Sequence, residues 1–266
     1  MTLRMRNRLL KIVFAAGLFL PLLSVFNFVF FLTNRSHYDY RFADFPDFFS
    51  IAAFYVFLLV LTLLIYGLIG LTYYRFRAIM SNEIFFHILS LFVLLFVHLK
   101  TFFLNYPLLN GPDFFFVSGM KIFYAVILLV PLYSFCGAFF SLGIENNRFD
   151  VIFYVLLVGF AFLSVLIPID SATVGKELYY RSYVLLYICL LFILLELLTA
   201  VIYLTDRKVN TLKDNFLLMI SEVVFSFLFL AIYAVNKLPV LAVLTVFYFA
   251  AYSFYAKKLY KIYLWR

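Results

Sequence analysis

Apolar residues form long, nearly uninterrupted stretches in this chain, and the charged residues fall mostly between those stretches. Each stretch has about 19 or more residues, enough for an α-helix to cross the roughly 30 Å of hydrocarbon in a bilayer. The pattern predicts an all-α, polytopic membrane bundle of about eight transmembrane helices, with residues 1–266 forming one integral membrane domain. The predicted spans are residues 10–33, 48–74, 84–105, 117–143, 150–168, 182–204, 215–236 and 239–257.

Basic residues near the span ends predict the orientation of the bundle. If both termini are cytoplasmic, fourteen of the 21 Lys and Arg residues fall in inner segments and five in outer ones. Cytoplasmic loops of membrane proteins carry such an excess of positive charge. We therefore expect a protein integral to the cytoplasmic (inner) membrane, with the N- and C-termini in the cytoplasm.

The segment "MTLRMRNRLLK" at the start of the chain resembles the charged region of a signal peptide. The apolar run that follows it reaches about Leu32, which is longer than the roughly 7–15 residues of a signal-peptide core. We interpret this segment as a retained first span.

Composition restricts the class of protein further. The chain is 67% hydrophobic and only 13% charged, too little charge for the surface of a soluble domain of this size. The net charge of +8 comes from residues at predicted span ends, so orientation in the membrane explains it, and no nucleic-acid partner is expected. Cys136 and Cys189 lie inside apolar runs, where free thiols pack as small hydrophobes.

The stretch "FHILSLFVLLFVHLK", residues 86–100, places three polar side chains in a segment expected to lie in lipid. His87 and His98 are almost three helical turns apart, so they share a face but stand about 16 Å from each other and cannot bind one metal ion. Lys100 points away from them and lies close enough to the outer interface to snorkel. His98 and Lys100 are candidate residues for outer-side contacts, and a purely structural role is the simpler interpretation for both histidines.

Two glutamates lie inside predicted spans. Glu196 is in "FILLELLTA" and Glu222 is in "LMISEVVFS", each roughly 10–12 Å from the cytoplasmic end of its span. A short loop joins the two spans, so we expect the carboxyls at matched depth in neighbouring helices. A charged carboxylate is expensive there, and each group must be protonated, paired or hydrated.

Two interpretations of these carboxyls stay open. Glu196, Glu222 and His87 are candidates for a proton-coupling or ligand-responsive site. Alternatively, they make hydrogen bonds between helices that hold spans six and seven together. Interhelical hydrogen bonding also explains Asn27, Ser134 and Ser164.

The first predicted outer loop carries a short acidic and aromatic strip that includes Asp39 and Arg41. These two residues are outer-side candidates for contact with a ligand or partner. A solvated loop with aromatic residues at the interface is the simpler interpretation of the strip.

Catalytic and cofactor-binding motifs are not visible in the sequence. It contains no P-loop, HExxH, CxxC or GxSxG pattern, so we predict no catalytic residue, no metal site and no cofactor. An integral membrane enzyme with unfamiliar motifs remains a third alternative.

Residues 48–258 resemble the membrane module of the bacterial seven-transmembrane receptors with diverse intracellular signalling modules. The likeness lies in "LTLLIYGLIGLTYYRFR", "FFLNYPLL", "LYSFCGAFFSLGIENNRFD" and "SEVVFSFLFLAIYAVNKLP". It implies sensing at the envelope and signal transduction across the membrane. Those receptors usually carry a cytoplasmic output domain. Here only a short tail follows the last predicted span, so the resemblance implies a solitary sensor module or a subunit that signals through a partner.

Three functions follow from the sequence. The first is a non-catalytic sensor module or a subunit of a larger membrane complex, in contact with membrane lipids and with another membrane protein or a second copy of itself. The second is a small transporter or lipid-handling protein that uses Glu196 and Glu222. The third is an integral membrane enzyme acting on lipid.

Overall fold

The computed structural model describes residues 3–34, 47–78, 81–109, 113–141, 149–167, 184–205 and 212–264. Nearly all of these residues are helical, and no β-strand occurs among them. The prediction of an all-α fold is confirmed for the described part of the chain.

Ten α-helices and one 3₁₀ turn make up the described residues. In chain order they are α1 (Leu3–Gly17), α2 (Phe19–Thr33), α3 (Phe48–Phe76), α4 (Asn82–Leu94), the 3₁₀ turn (Leu95–His98), α5 (Leu99–Leu109), α6 (Asp113–Ser141), α7 (Phe149–Leu166), α8 (Val184–Thr205), α9 (Leu212–Ala234) and α10 (Leu238–Leu264).

Seven helical segments of the described residues are long and apolar enough to cross a membrane. The first combines α1 and α2, which meet at a turn at Leu18, and the third combines α4, the 3₁₀ turn and α5. The fifth predicted span, residues 150–168, coincides with α7, whose described apolar stretch Leu157–Leu166 is shorter than the others. These segments define a polytopic helical membrane protein.

Local sequence explains where two of the helices begin. The side chain of Asp47 accepts a hydrogen bond from the backbone N–H of Ser50 at 2.7 Å, and Ser81 accepts one from the N–H of Ile84 at 3.2 Å. Both are N-caps, which satisfy backbone donors that a helix start leaves unpaired. The caps fix the first turns of α3 and α4.

The segment from α4 to α5 is the central helix of the bundle. It packs against α1, α2, α3 and α6, and almost every side chain between Glu83 and Tyr106 is buried. Residues 86–100, which we expected to lie in lipid, are instead enclosed by protein. Their polar side chains are therefore buried among other helices rather than exposed to lipid.

Candidate functional site

Three glutamates from three helices lie together near one end of the central helix. They are Glu83 on α4, Glu196 on α8 and Glu222 on α9, and each is at most 5% exposed. Glu222 interacts electrostatically with both of the other carboxyls. We call these three residues the acidic cluster. The expectation that Glu196 and Glu222 lie close together agrees with the structure.

Glu83 is bound by two tyrosines from other helices. The hydroxyl of Tyr203 on α8 donates to Glu83 Oε1 at 2.9 Å, and the hydroxyl of Tyr255 on α10 reaches the same oxygen at 3.4 Å. The two hydroxyls are 3.3 Å apart. This group of three polar side chains ties α4, α8 and α10 together.

Glu222 is bound from α6. The hydroxyl of Ser134 donates to Glu222 Oε1 at 2.7 Å and is 3.2 Å from the hydroxyl of Ser226, one turn further along α9. Tyr255 also interacts with this carboxyl. The second oxygen, Oε2, is buried without a hydrogen-bond partner.

Glu196 is the least satisfied member of the cluster. Neither of its carboxyl oxygens has a hydrogen-bond partner, although the side chain is only 2% exposed. Ser226 and Glu222 are the polar groups that act on it most directly. A buried carboxyl without partners is costly, so its retention points to a role beyond packing.

His87 lies beside the cluster without a polar contact to it. Both ring nitrogens are buried and have no hydrogen-bond partner. The ring stacks on Tyr252 with centroids 5.2 Å apart and also contacts Phe225 and Tyr255. Tyr252 in turn makes a hydrogen bond to Thr72 on α3. His87 is thus an aromatic neighbour of the acidic cluster.

A close approach between α4 and α6 positions the cluster. A Cβ atom on Gly137 would lie 3.6 Å from Phe86 Cβ and 3.8 Å from Glu83 Cα. These are ordinary van der Waals distances, so α4 and α6 are in close contact at this point, although the space would also admit an alanine. Ser134, one turn earlier on α6, makes the contact with Glu222 on α9.

A second polar group, which we call the asparagine network, lies near the other end of the central helix. Asn27 Nδ2 donates to Thr101 Oγ1 at 3.1 Å, and Asn105 Nδ2 donates to the backbone oxygen of Asn27 at 2.9 Å. The hydroxyl of Tyr55 is 2.7 Å from Asn105 Oδ1 and 3.1 Å from the Thr101 carbonyl. These bonds hold α2, α3 and α5 together, which agrees with the interhelical role predicted for Asn27.

Lys100 does not reach a surface. Its side chain is 0% exposed, and Nζ donates to the backbone oxygens of Ile232 and Val235, both at 2.7 Å. The prediction that Lys100 snorkels is therefore wrong. The end of α9 supplies two free carbonyls, and these are closer partners for the amine than the interface is. His98 is also buried, with Nδ1 2.7 Å from the Leu95 carbonyl and Nε2 without a partner.

Three further predictions concern the outer-loop residues, a metal site and Ser164. Asp39 and Arg41 lie outside the described residues. Among the residues that the structure describes, no group of three or more His, Cys, Asp or Glu side chains is arranged to hold a metal ion. Ser164, for which we expected a hydrogen bond between helices, instead donates to the Ala161 carbonyl of its own helix at 2.7 Å.

Sequence reasoning missed Glu83, Tyr203 and Tyr255. Glu83 precedes the predicted third span by one residue, so we interpreted it as an ordinary charge at a helix end. The available signal was spacing: Glu83 and His87 are four residues apart, and so are Glu222 and Ser226. Residues four apart lie on one face of a helix, so each pair marks a polar face within an apolar span.

No family model, curated protein or solved structure matches this chain. The function of the chain is therefore inferred from the chemistry of the acidic cluster. Buried carboxyls and hydroxyls in contact with one another can bind, share and release protons.

Proposed function

We propose that the chain spans the cytoplasmic membrane eight times, with both termini in the cytoplasm. The contact of α7 supports the eighth span: Lys121 Nζ, near the start of α6, donates to the carbonyl of Val165, near the end of α7, at 2.6 Å. The two helices therefore run antiparallel. At 1.5 Å per residue, the 18 residues of α7 extend about 27 Å, close to the thickness of the hydrocarbon core.

Within that topology the protein works as a non-catalytic sensor module or as a subunit of a larger membrane complex. The observation that carries this proposal is the acidic cluster, in which three carboxyls meet at the junction of α4, α6, α8, α9 and α10. A charge in the middle of a membrane costs about 3 kcal/mol on translocon scales. Ionisation of one of the three carboxyls changes the free energy of helix packing by a comparable amount. A change of charge at the cluster thereby shifts the conformation of the bundle.

An apolar layer lies between the acidic cluster and the asparagine network. This layer favours a sensor rather than a protein with an open passage across the membrane. Leu91, Leu94 and Leu95 on the central helix are completely buried and separate the acidic cluster from the asparagine network. At the same level, the Tyr233 hydroxyl donates to the backbone oxygen of Val93 at 2.8 Å. The arrangement is a closed, well-packed core, suited to shifting as a unit.

Alkylation of Cys136 tests the proposal. This thiol is 1% exposed and lies two residues after Ser134 on α6, so it reports on packing next to the cluster. The protein in lipid nanodiscs is treated with a neutral maleimide over about pH 5 to 8, and wild type is compared with the E196Q/E222Q variant at each pH. Taking the ratio of the two rates at the same pH cancels the ionisation of the thiol itself.

We expect that ratio to change severalfold with pH, because only wild type can alter the charge of these two carboxyls. Cys189, which is partly exposed, serves as the internal control and should give a constant ratio. A constant ratio for Cys136 as well would overturn the proposal. Purification in a gentle detergent, with mass spectrometry of the co-purifying proteins, then separates a subunit with a stoichiometric partner from a solitary module.

A small proton-coupled transporter or lipid-handling protein is the second candidate. It is favoured by the unpartnered oxygens of Glu196 and Glu222, since intramembrane carboxyls commonly serve as coupling groups. Proteoliposomes loaded with a pH dye discriminate between the two. The sensor leaves an imposed pH gradient intact, whereas a transporter dissipates it when its substrate is present, and E196Q and E222Q abolish that flux.

A further inference from the structure

We propose that the acidic cluster is a one-ended proton relay in which Glu83 takes up the proton and Glu196 is the terminal acceptor. This inference depends on the proposed sensing role and names how the site is loaded. The groups between the two ends are, in order, the Tyr255 hydroxyl, Glu222, Ser134 and Ser226, and the Tyr203 hydroxyl lies beside that of Tyr255 on the same oxygen of Glu83.

Hydrogen bonds define the first part of the relay. Tyr203 and Tyr255 both contact Glu83 Oε1 and contact each other at 3.3 Å. Tyr255 also interacts with Glu222. A tyrosine hydroxyl is both donor and acceptor, so it can accept one proton while it passes on its own.

A second set of contacts leads from Glu222 to Glu196. Ser134 lies 2.7 Å from Glu222 Oε1 and 3.2 Å from the Ser226 hydroxyl. Ser226 is also the hydroxyl that acts on the carboxyl of Glu196, which makes no hydrogen bond in this conformation. The last transfer therefore requires a rotation of one of these two side chains. The two serines therefore bridge carboxyls that belong to different helices.

Depth along the helices gives the direction. Glu83 is the second residue of α4, and its neighbours Ser81 and Asn82 are partly exposed. Glu222 lies ten residues after the first residue of α9, and Glu196 lies nine residues before the last residue of α8, about 15 Å and 14 Å from those ends. Glu83 is thus the member of the cluster closest to the aqueous side.

The relay ends at Glu196. Its carboxyl oxygens have no hydrogen-bond partner in this conformation, and Phe192, one turn earlier on α8, is completely buried. Ile193 and Leu197 beside it are exposed on the apolar outer face of the bundle. Among the described residues that pack around the relay, the cationic groups include Arg6, which hydrogen-bonds Asn82 next to Glu83, Arg75 near Tyr252, and Lys258, one turn after Tyr255 on α10. The neutral titratable groups include His87 and Tyr252, stacked face to face, Tyr248 and Tyr133 with buried rings, and Cys136.

Each transfer balances. A proton from the aqueous phase protonates the carboxylate of Glu83, which then gives it to the Tyr255 oxygen as the Tyr255 proton moves to Glu222. Glu222 passes a proton to the Ser134 oxygen, Ser134 passes its own to Ser226, and Ser226 passes its own to the Glu196 carboxylate. The net change is one proton gained by Glu196, and the hydroxyls rotate back to their starting positions.

Time-resolved infrared spectroscopy after a downward pH jump, on the full chain in nanodiscs, tests the relay. The carbonyl bands of protonated Glu196 and Glu222 are assigned by their loss in E196Q and E222Q. We expect the Glu222 band to rise before the Glu196 band. E83Q and the Y203F/Y255F double variant should slow both bands at least about tenfold, and S134A should slow only the Glu196 band, with final amplitudes unchanged.

Matched controls lie outside the relay. Tyr233→Phe removes a buried hydroxyl that bonds to the Val93 carbonyl, and Ser90→Ala removes one that bonds to the Phe86 carbonyl at 3.2 Å. Both should leave the two rates unchanged. If the double tyrosine variant fails to fold, the E83Q and S134A variants decide the question alone.

The outcomes separate the relay from the proposed function. Titrating bands whose order is reversed, or whose rates are the same in E83Q and S134A as in wild type, would overturn the relay and leave the sensing role intact. If neither Glu196 nor Glu222 gives a band that changes with pH, the acidic cluster does not titrate and both proposals fail.

Discussion

The amine of Lys100 donates a hydrogen bond to the backbone oxygen of Val235 at 2.7 Å, and so joins the central helix to the end of α9. A second bond of the same length goes to Ile232. The last carbonyls of a helix have no partner within the helix, and a basic side chain that binds them also complements the negative end of the helix dipole. Lys100 therefore acts as a cap supplied by another helix.

Replacement of Lys100 by Met should destabilise the protein, because it leaves two buried carbonyls of α9 without donors. A buried acceptor that is left without a donor costs about 1–3 kcal/mol. We expect a thermal unfolding midpoint several degrees lower in detergent, at roughly 2–4 °C per kcal/mol.

Lys121→Met is the control for this prediction. Its amine also donates to a backbone carbonyl, that of Val165, but the contact is exposed, so water replaces the lost donor. The unfolding midpoint should barely change. Equal losses in the two variants would show that burial of the Lys100 contact adds nothing.

Tyr55→Phe should weaken the asparagine network. The change removes the hydroxyl that contacts Asn105 Oδ1 and the Thr101 carbonyl, and keeps the ring stacked on Phe31 at 4.7 Å. Interhelical hydrogen bonds in membranes contribute about 0.6 kcal/mol on average and up to about 1.7 kcal/mol. We expect a loss in that range in the free energy of unfolding.

The control is Tyr66→Phe, also on α3, whose ring stacks on Phe14 at 4.7 Å. Tyr66 is only partly buried, so its hydroxyl does not depend on a partner within the protein. Its removal should leave stability within about 0.5 kcal/mol of wild type. A Tyr55 variant as stable as this control would contradict the prediction.

Gly119 is predicted to be intolerant of a side chain. A Cβ atom there would lie 3.1 Å from Phe102 Cε1 and 3.2 Å from Phe103 Cε1, closer than packed atoms normally approach. Gly119→Ala should therefore cost about 1–3 kcal/mol through overpacking between α5 and α6. Gly159→Ala on α7 meets no atom within 4 Å and should be neutral or slightly stabilising, since alanine favours the helix. Thermal unfolding of the two variants side by side checks both expectations, and the reverse order would contradict them.

The helical architecture was predictable because the length and polarity of an apolar run are local properties. Seven of the eight predicted spans coincide with long apolar helices, and the eighth coincides with α7. The burial of residues 86–100 by protein was not predictable. Apolar side chains satisfy lipid and protein neighbours equally well, so hydrophobicity alone does not distinguish a central helix from a peripheral one.

The candidate site was predictable only in part. Glu196 and Glu222 were identified because a carboxyl inside an apolar span is conspicuous, and the short connection between their spans indicated proximity. Glu83 lies at a helix end, where a charge needs no explanation, and only the fold shows that α8 and α10 enclose it. Lys100 was misjudged for the same reason: its partners are backbone carbonyls, which no side-chain pattern reveals.

Asp47, just before α3, should make the first turn of that helix sensitive to acid. Its hydrogen bonds with Ser50, including the 2.7 Å bond from the backbone N–H, hold the pKa of the carboxyl below its ordinary value of 3.8. A lowered pKa means that the carboxylate stabilises the folded turn above pH 3.8 and that this contribution is lost as pH falls through the lowered value. Amide hydrogen exchange over residues 48–51, expressed as protection relative to the unstructured chain, should show protection that declines on acidification.

Two variants separate the charge from the cap. Asp47→Asn keeps a side-chain oxygen that can accept the Ser50 N–H bond, so protection should persist and become independent of pH in the acid range. Asp47→Ala removes the acceptor, and the first turn of α3 should exchange faster at every pH, while exchange in the middle of the helix stays unchanged. If protection in the alanine variant equals that in wild type, the cap does not hold this turn in place. The stacking of Phe48 on Phe31 would then be what holds it.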